Sequence, residues 1–599
     1  MTVRQIDAEQ KRLGILSDDE VEVLYGRPQF THENRRNYFS LSNPEKELFT
    51  TLRSVKSQAY FVLQLGYFKA KQLFFVFDLH EVEDDLHYVL MQHFYDGVAA
   101  DFNQLDKSTR LKQQRMILEL TNYRSCDAEE RQQLATKARA AATICGKPIY
   151  IFREIIHYLS EQHIVIPGYR FMQDIVSKAL THEEDRLITI MRDHLTQPNI
   201  EALKQLLEES AGLYAVTQLK QEPKNFKASE IKREIQRGKR IQTLYQLAQK
   251  LLPQMSVSSE SIKYYAFLVG YYSSFRLKRL DEWIVYVYLL CFVYHRYQKV
   301  HDNLINTLIY NVKRYNEEAK GTAKERIYEC HIEINQNLEK AGQVLKLFTD
   351  DSIATNTPFL AVQTKAFSIL ERQKLVDIAD QITTKTKFDE TAFQWEHIEK
   401  ISRQFKKHLR PILLTVDFAA PLENDPLIEA INFLKTVFLK GRPLGQYSTD
   451  VLPKRFIPSG SKHYVYEQKI PLVDRYEFLV YRLLRNGLEA GDIFCRDSIR
   501  FRSFEDDLID DQQWQQKEKL IDDTGLSILN RPIQEHLSEL EQRLEDRIAE
   551  VNRRIISGEN KHFKIINRNR HSRWTLQYPH DSDPVNHSFF DTLKQIEID

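Results

Sequence analysis

Glycine occupies only 18 of 599 positions, against a usual share of about 7%. Sheet-rich folds use glycine in the hairpin turns and bulges where φ must be positive, so a chain this poor in it is expected to be helical throughout. Length then sets the organisation. At about 150 residues per domain, a chain of 599 residues is expected to form about four units. Apolar residues at 42% and charged residues at 28% match globular averages and exclude wholesale disorder. The expected fold is mainly α, a multidomain array of small helical bundles.

Charge is balanced, with 84 basic against 84 acidic side chains, so bulk electrostatics favour no partner and local patches must decide. The five cysteines, Cys126, Cys145, Cys291, Cys330 and Cys495, are odd in number and form no CxxC pair, which fits reduced thiols and no disulfide or zinc framework. His331 beside Cys330, and His157 with His163, lack the further ligands a zinc site needs. The polar start MTVRQIDAEQKRLG has no signal-peptide pattern. The most apolar run, Trp283 to Tyr294, is shorter than the roughly 20 residues a membrane span needs and reads as a buried helix. Phosphate loops, dinucleotide fingerprints, nucleophile elbows and HExxH pairs are missing from the sequence, which disfavours the common motif-bearing enzymes.

Along the chain, Thr31 with Asn34, and Ser42 with Pro44 and Glu45, read as helix starts. The apolar crowd from Tyr60 to Phe68 reads as the central helix of a small bundle. Ile155, Ile156 and Leu159 form a helical stripe, the chain turns at Ile166-Pro167-Gly168, and Phe171, Ile175 and Val176 begin another helix. That hairpin is helix-turn-helix-like or an ordinary αα-hairpin; a turn alone does not distinguish them. From Lys220 to Arg240 eight bases face three acids, a net of +5. This run either neutralises phosphates or forms a solvated helix face pairing Glu230 with Arg233 and Glu234 with Arg237. The tyrosines and phenylalanines from Tyr264 to Tyr315 read as scaffold packing, and the charged helices to about Lys407 as a spacer. A new block begins near Pro411, and Pro443, Pro453, Pro458 and Pro471 interrupt any long helix after it. RDSIRFRSF, Arg496 to Phe504, is a short strand or a loop. The acids Asp506, Asp507, Asp510 and Asp511 read as solvated surface, and Pro532 to Ile556 as a charged amphipathic helix.

Taken in order, several of these pieces resemble the non-catalytic two-thirds of the large bacterial transposases of the Tn-3 family. The resemblance is carried by ILSDDEVEVLYG, YFSLSNPEKELF and QAYFVLQLGYFK, then by the block from RQQLATKARAAATICGK to IVIPGYRFMQDIV. Further on, YYSSFRLKRL, LLCFVYHRYQKVHDNLINTLIYNVKRY, PLGQYSTDVLPKRF and GLEAGDIFCRDSIRFRSFEDDLI continue it. It implies an elongated array with helix-turn-helix-like DNA-binding modules. Residues 1–85 and 86–178 would be two such modules and 179–300 a basic and aromatic helical domain. Residues 301–410 would be a helical spacer or dimerisation region, and 411–599 a linker region leading to an RNase H-like catalytic domain. In that domain family members hold two metal ions, magnesium, on three acids. The chain stops near where it should begin, and neither Asp506 to Asp511 nor Asp522-Asp523 matches its acids. The expectation is therefore no catalytic residue, no metal and no cofactor on this chain, and no strand transfer by it alone.

The implied partner is double-stranded DNA carrying the transposon's terminal inverted repeats. The chain would bind it as a homodimer, either as a truncated remnant or as one half of a split enzyme whose catalytic domain is separately encoded, and stay in the cytoplasm with the nucleoid and away from membranes. Residue chemistry within the matching blocks nominates DNA contacts. They are Arg35, Arg36, Arg53, Lys56, Lys69 and Lys71 in the first block, Lys107, Arg110, Lys112 and Arg115 in the second, and Tyr169 and Arg170 after the turn. The basic run adds Lys232, Arg233, Arg237, Lys239 and Arg240. Two other readings stand beside end recognition: a regulatory end-binding protein that inhibits intact transposase, and a helical interaction scaffold without DNA affinity.

Overall fold

The computed structural model describes residues 5–6, 12–94, 105–210, 213–384, 388–422, 424–447, 451–468, 470–509, 511–518, 521, 527–556, 564–567 and 574–577. Helix dominates, and the strands pair only as two-stranded antiparallel hairpins among the described residues. The chain divides into two compact units, where length led us to expect about four. The acids Asp510, Asp522 and Asp523 and most of the polar stretch after Ile556 lie outside the described residues.

The first unit comprises Met1–Glu201, Lys250–Phe292 and Ile509–Asp599. It opens with α1 (Asp18–Tyr25), α2 (His32–Tyr38), α3 (Asn43–Thr51) and α4 (Val55–Lys71). Their starts are encoded locally. Thr31 accepts from the Asn34 N–H, and Ser17 and Ser42 complete capping boxes with Glu20 and Glu45, satisfying N–H groups that no helical turn can reach. α4 is the hub that the aromatic crowding predicts, with every residue from Ala59 to Phe68 buried. At Gly66 the surface of α4 must stay bare, because a Cβ there would lie 2.4 Å from Cδ1 of Phe39. α5 (Glu83–His93) closes the group through Asp85, which accepts from Arg35 Nε at 2.7 Å and from Tyr67 Oη at 2.6 Å.

Four helices follow: α6 (Lys107–Thr121), α7 (Ala128–Ile144), α8 (Pro148–Glu161) and α9 (Tyr169–His194). The predicted stripe Ile155, Ile156 and Leu159 joins Leu134 and Ala138 of α7 and Met172 and Val176 of α9 in one buried core. Beyond them run α10 (Gln197–Leu206), α11 (Ala215–Leu219), α12 (Ala228–Gln254), α13 (Ser259–Tyr271), α14 (Ser274–Leu277) and α15 (Glu282–Lys346). Tyr265 of α13 stacks on Tyr288 of α15 with ring centroids 5.2 Å apart, so these aromatics are packing groups. Ile284 to Val293 are buried, and among the described residues no helix is long and apolar enough to cross a membrane.

The second unit comprises Ala202–Gln249 and Val293–Leu508. It adds α16 (Phe359–Ile369), α17 (Arg372–Thr384), α18 (Glu390–Lys400), α19 (Ser402–Thr415), α20 (Pro426–Leu439), α21 (Lys462–Val465) and α22 (Val473–Ala490). One core gathers Leu304, Leu308 and Val312 of α15 with Leu409 and Ile412 of α19, Leu434 of α20 and Phe478 and Tyr481 of α22. Both ends of the expected spacer, Leu304 to Ala319 and Trp395 to Leu409, therefore contribute to this core. The limits expected at 85, 178, 300 and 410 each fall inside a helix, α5, α9, α15 and α19. Pro411 lies within α19 rather than opening a new block. The proline-rich connector is irregular as expected, yet Leu444, Leu452 and Val465 anchor it in the core. RDSIRFRSF resolves to a loop: Asp302 Oδ1 accepts the N–H groups of Ile499 and Arg500 at 3.1 Å each, which satisfies backbone that would otherwise seek a ladder partner. Past the second unit come α23 (Asp511–Gln515) and α24 (Ile533–Ile556).

Candidate nucleic-acid interface

The nominated bases divide into those with internal work and those facing solvent. Arg35 is tied to Asp85 and lies 3.6 Å from Asp84. Lys69 donates to Glu45 at 2.8 Å and to the Ser40 carbonyl. Lys71 donates to the Val23 carbonyl at 2.7 Å, and burial lowers its pKa. These three hold α1, α2 and α3 against their neighbours. Arg36 also has a partner, as has the half-buried Lys56. Arg53 is exposed just before α4.

α6 presents a different picture. Lys107, Lys112 and Arg115 are exposed and Arg110 is half-exposed, and the helix carries a single acid, Glu119. Four bases in the first nine positions of a helix oppose its macrodipole, at about 0.3–1 kcal/mol each when exposed, so helix stability does not account for them. Asp106 offsets part of this as N-cap. The Ser108 and Thr109 hydroxyls and the Thr109 N–H hold its carboxyl well below the usual carboxylate range. Gln113 docks the buried side of α6 on α4 by donating to the Ser57 carbonyl and hydroxyl at 2.8 Å each.

The start of α9 is set beside α6 by backbone. Arg124, just past α6, donates to the His163 carbonyl at 2.8 Å and accepts from the Val165 N–H at 3.0 Å, a parallel bridge that pins the turn before Gly168. Gly168 caps α9 without a side-chain hydrogen bond, leaving its first-turn N–H groups without a side-chain cap. Arg170 is exposed on that turn. Tyr169 is occupied: its hydroxyl accepts the N–H of Ile15 at 3.3 Å and of Leu16 at 2.9 Å. A cleft of about 420 Å³ lies between these elements, lined by Arg115, Leu111, Arg131, Pro167, Gly168 and Phe171 among others. The Arg131 guanidinium sits 5.2 Å from the Phe171 ring. Cys126 also lines it; burial pushes its thiol up, against the opposing pull of Arg131.

Of the nominated residues, Arg115 of α6 is brought into one cleft with Gly168 and Phe171 at the start of α9. Arg131 was missed, because nothing in one dimension links it to Phe171, 40 positions on.

In the second unit, α12 carries the basic run. Arg233 pairs with Glu230, and Arg237 pairs with Glu234 at 2.8 Å, the two pairings named from the sequence, but not on a solvated face. Both glutamates are buried, and Glu234 also receives Arg296 at 2.9 Å and Asn303 at 2.9 Å. Arg240 donates to Gln218 at 2.6 Å. Lys232 and Lys239 are exposed. Among the described residues no group of three or more His, Cys, Asp or Glu side chains is placed to hold a metal ion. Asp507 pairs with Arg502.

Residues 15–179 match a family described as a domain of unknown function, DUF4158. This span covers α1 to α8 and the first 11 of the 26 residues of α9, and so contains the whole cleft just described. The chain is also similar to the transposase for transposon Tn1546 of Enterococcus faecium, 23% identical over 62% of this chain and 37% of that protein. The transposase for transposon Tn3926 of Escherichia coli is 21% identical over 90% of this chain and 54% of that protein. The chain thus spans about half or less of the length of these relatives.

Proposed function

We propose that this transposase-related chain recognises the terminal inverted repeats of its transposon in duplex DNA, with α6 and the start of α9 as the contacting face. The observation that carries the reading is the run of exposed bases along the first half of α6, where a cation costs stability, with Arg115 lining one cleft with a second helix start that has no side-chain cap. Lys107, Lys112, Arg115 and Arg170 would hold phosphates and fix register, and the first turn of α9 would approach base edges. Lys232 and Lys239 of α12 supply a further phosphate-binding patch. The chain would act as a homodimer bound to both transposon ends, alongside a separately encoded catalytic portion, and we assign no chemical step to its own residues.

The test is a fluorescence-anisotropy titration against the repeat duplex and a scrambled duplex at two salt concentrations. End recognition gives a preference for the repeat of about a hundredfold or more, weakening as salt rises. The double variant Lys112→Glu and Arg115→Glu should weaken binding to both duplexes and flatten the salt dependence by about 0.9 in log–log slope per lost phosphate contact. Weak binding, equal for both duplexes, would sink the proposal and leave an interaction scaffold as the better account.

A further inference from the structure

Tyr271 and Phe275 escape the packing that absorbs their neighbours in the aromatic run. They are 54% and 60% exposed, while Tyr272, Ser274 and Leu277, beside and between them, are buried. The backbone that carries them is fixed: Ser273 caps α14 by accepting the Arg276 N–H at 3.2 Å, and Leu277 is fully enclosed. Two large rings are thus held in water, without the burial that such side chains gain elsewhere in the chain.

Three arginines gather on the same segment. The guanidinium of Arg276 lies 4.2 Å from the centre of the Tyr272 ring, that of Arg279 4.1 Å from Phe275, and that of Arg192, from the last turn of α9, 5.2 Å from Trp283. Stacks of this kind occur about once in 70–80 residues, and here three fall within residues 272–283. Among the described residues none of the three guanidinium groups is in an ion pair, although two acids follow closely in the chain. Asp281 is occupied in capping α15, accepting the N–H groups of Trp283 at 2.9 Å and Ile284 at 3.2 Å, and Glu282 accepts from the Tyr286 hydroxyl. A guanidinium held over a ring is restrained before anything binds it, and its fork matches two phosphate oxygens at once.

We infer that residues 271–279 form a binding site for single-stranded DNA, with phosphates on Arg276 and Arg279 and unpaired bases on the Tyr271 and Phe275 rings. Charge selects a polyanion, because these cations have no carboxylate of their own. The rings select unpaired bases, because a duplex covers both faces of each base and offers only edges. Arginines alone would suit a duplex equally, and exposed aromatics alone would suit a protein partner; a single strand is the ligand that uses both. That the strand is DNA rests on the function proposed above, whereas its being unpaired rests on this patch, which shares no residue with the cleft lined by Arg115 and Phe171.

Fluorescence anisotropy of the full chain with a labelled oligothymidine of about 16 nucleotides, over a series of salt concentrations, provides the test. The parent chain is expected to bind it, and to bind an abasic strand of equal length, with every phosphate retained, about tenfold or more less tightly, because stacking is lost. Tyr271→Ala with Phe275→Ala should cause a similar loss on oligothymidine and none on the abasic strand or the repeat duplex, at an unchanged melting temperature, since both side chains are exposed. Arg276→Gln with Arg279→Gln should lower the log–log salt slope on oligothymidine by about 0.7 per lost phosphate contact. The Lys112→Glu and Arg115→Glu chain should bind oligothymidine as the parent does, so that failure of end recognition and failure of this site read out separately. A parent chain that does not bind oligothymidine would overturn the inference and leave the patch to a protein partner. So would equal binding of the oligothymidine and abasic strands, a double alanine variant that binds oligothymidine as before, or an equal loss of oligothymidine binding in the Lys112→Glu and Arg115→Glu chain.

Discussion

Arg296 shows how a single buried charge organises its surroundings. Its side chain is 4% exposed and is bound by Glu222 at 3.0 Å, Glu234 at 2.9 Å and the Gln221 carbonyl at 2.9 Å. Burial raises the pKa of Glu222, but Arg296, Asn303 and Lys299 outweigh it and the net shift is downward. Removing one partner of such a network leaves the rest uncompensated, so Arg296→Met should cost about 3–5 kcal/mol of stability, read from the urea midpoint. A second prediction concerns His408, whose Nδ1 lies 2.8 Å from the Gln404 carbonyl and from the Tyr315 hydroxyl. Burial lowers its pKa below the ordinary 6.5, the Gln404 carbonyl pulls it back, and Arg314 and Lys407 push it further down. A depressed imidazole pKa means the unfolded chain takes up the proton first. The stability this residue contributes is complete above 6.5 and is lost as pH falls from there through the folded-state value. Denaturation midpoints should therefore drop on acidification, and His408→Gln should flatten that drop. An unchanged pH profile in the variant would reject the assignment.

At the scale of elements, contacts between helices separate structure from recognition. Tyr169 resembles a DNA contact in sequence, yet its hydroxyl holds the N–H groups of Ile15 and Leu16. Tyr169→Phe should cost about 1–3 kcal/mol through two backbone donors left without this acceptor, with duplex affinity per folded molecule unchanged. The Arg115→Glu variant should do the reverse, losing affinity with its melting temperature nearly intact. Gly66→Ala would drive a methyl group into the Phe39 ring, and overpacking of this kind costs about 1–3 kcal/mol; a variant as stable as the parent would show that α2 and α4 can part. Helix starts such as those at Thr31 and Ser42 were readable because a cap is a local event, complete within four residues. The pinning of α9 by Arg124 was not, because a bridge across 40 positions leaves no periodic trace.

For the whole molecule, zero net charge conceals an uneven distribution, and binding is expected to follow the patch rather than the total. Substituting the internally paired Lys69 should leave the salt slope of duplex binding as it was, while substituting Lys112 should reduce it. Equal slopes for the two variants would show that only the total charge matters.

Sequence by itself determined the fold class, the helix starts at Thr31 and Ser42, the buried helix within the Trp283 to Tyr294 run and the turn between two helices at Ile166-Pro167-Gly168. Each rests on glycine supply, capping or periodicity within a few turns. Only the tertiary structure decided that α15 and α19 share one core, that Arg35, Lys69 and Lys71 are structural bases, and that Arg115 of α6 and the start of α9 line one cleft. The physical reason is that an apolar stripe or a lysine states its own need for burial or charge, whereas the residue that meets that need is chosen by the packing of elements far apart in the chain.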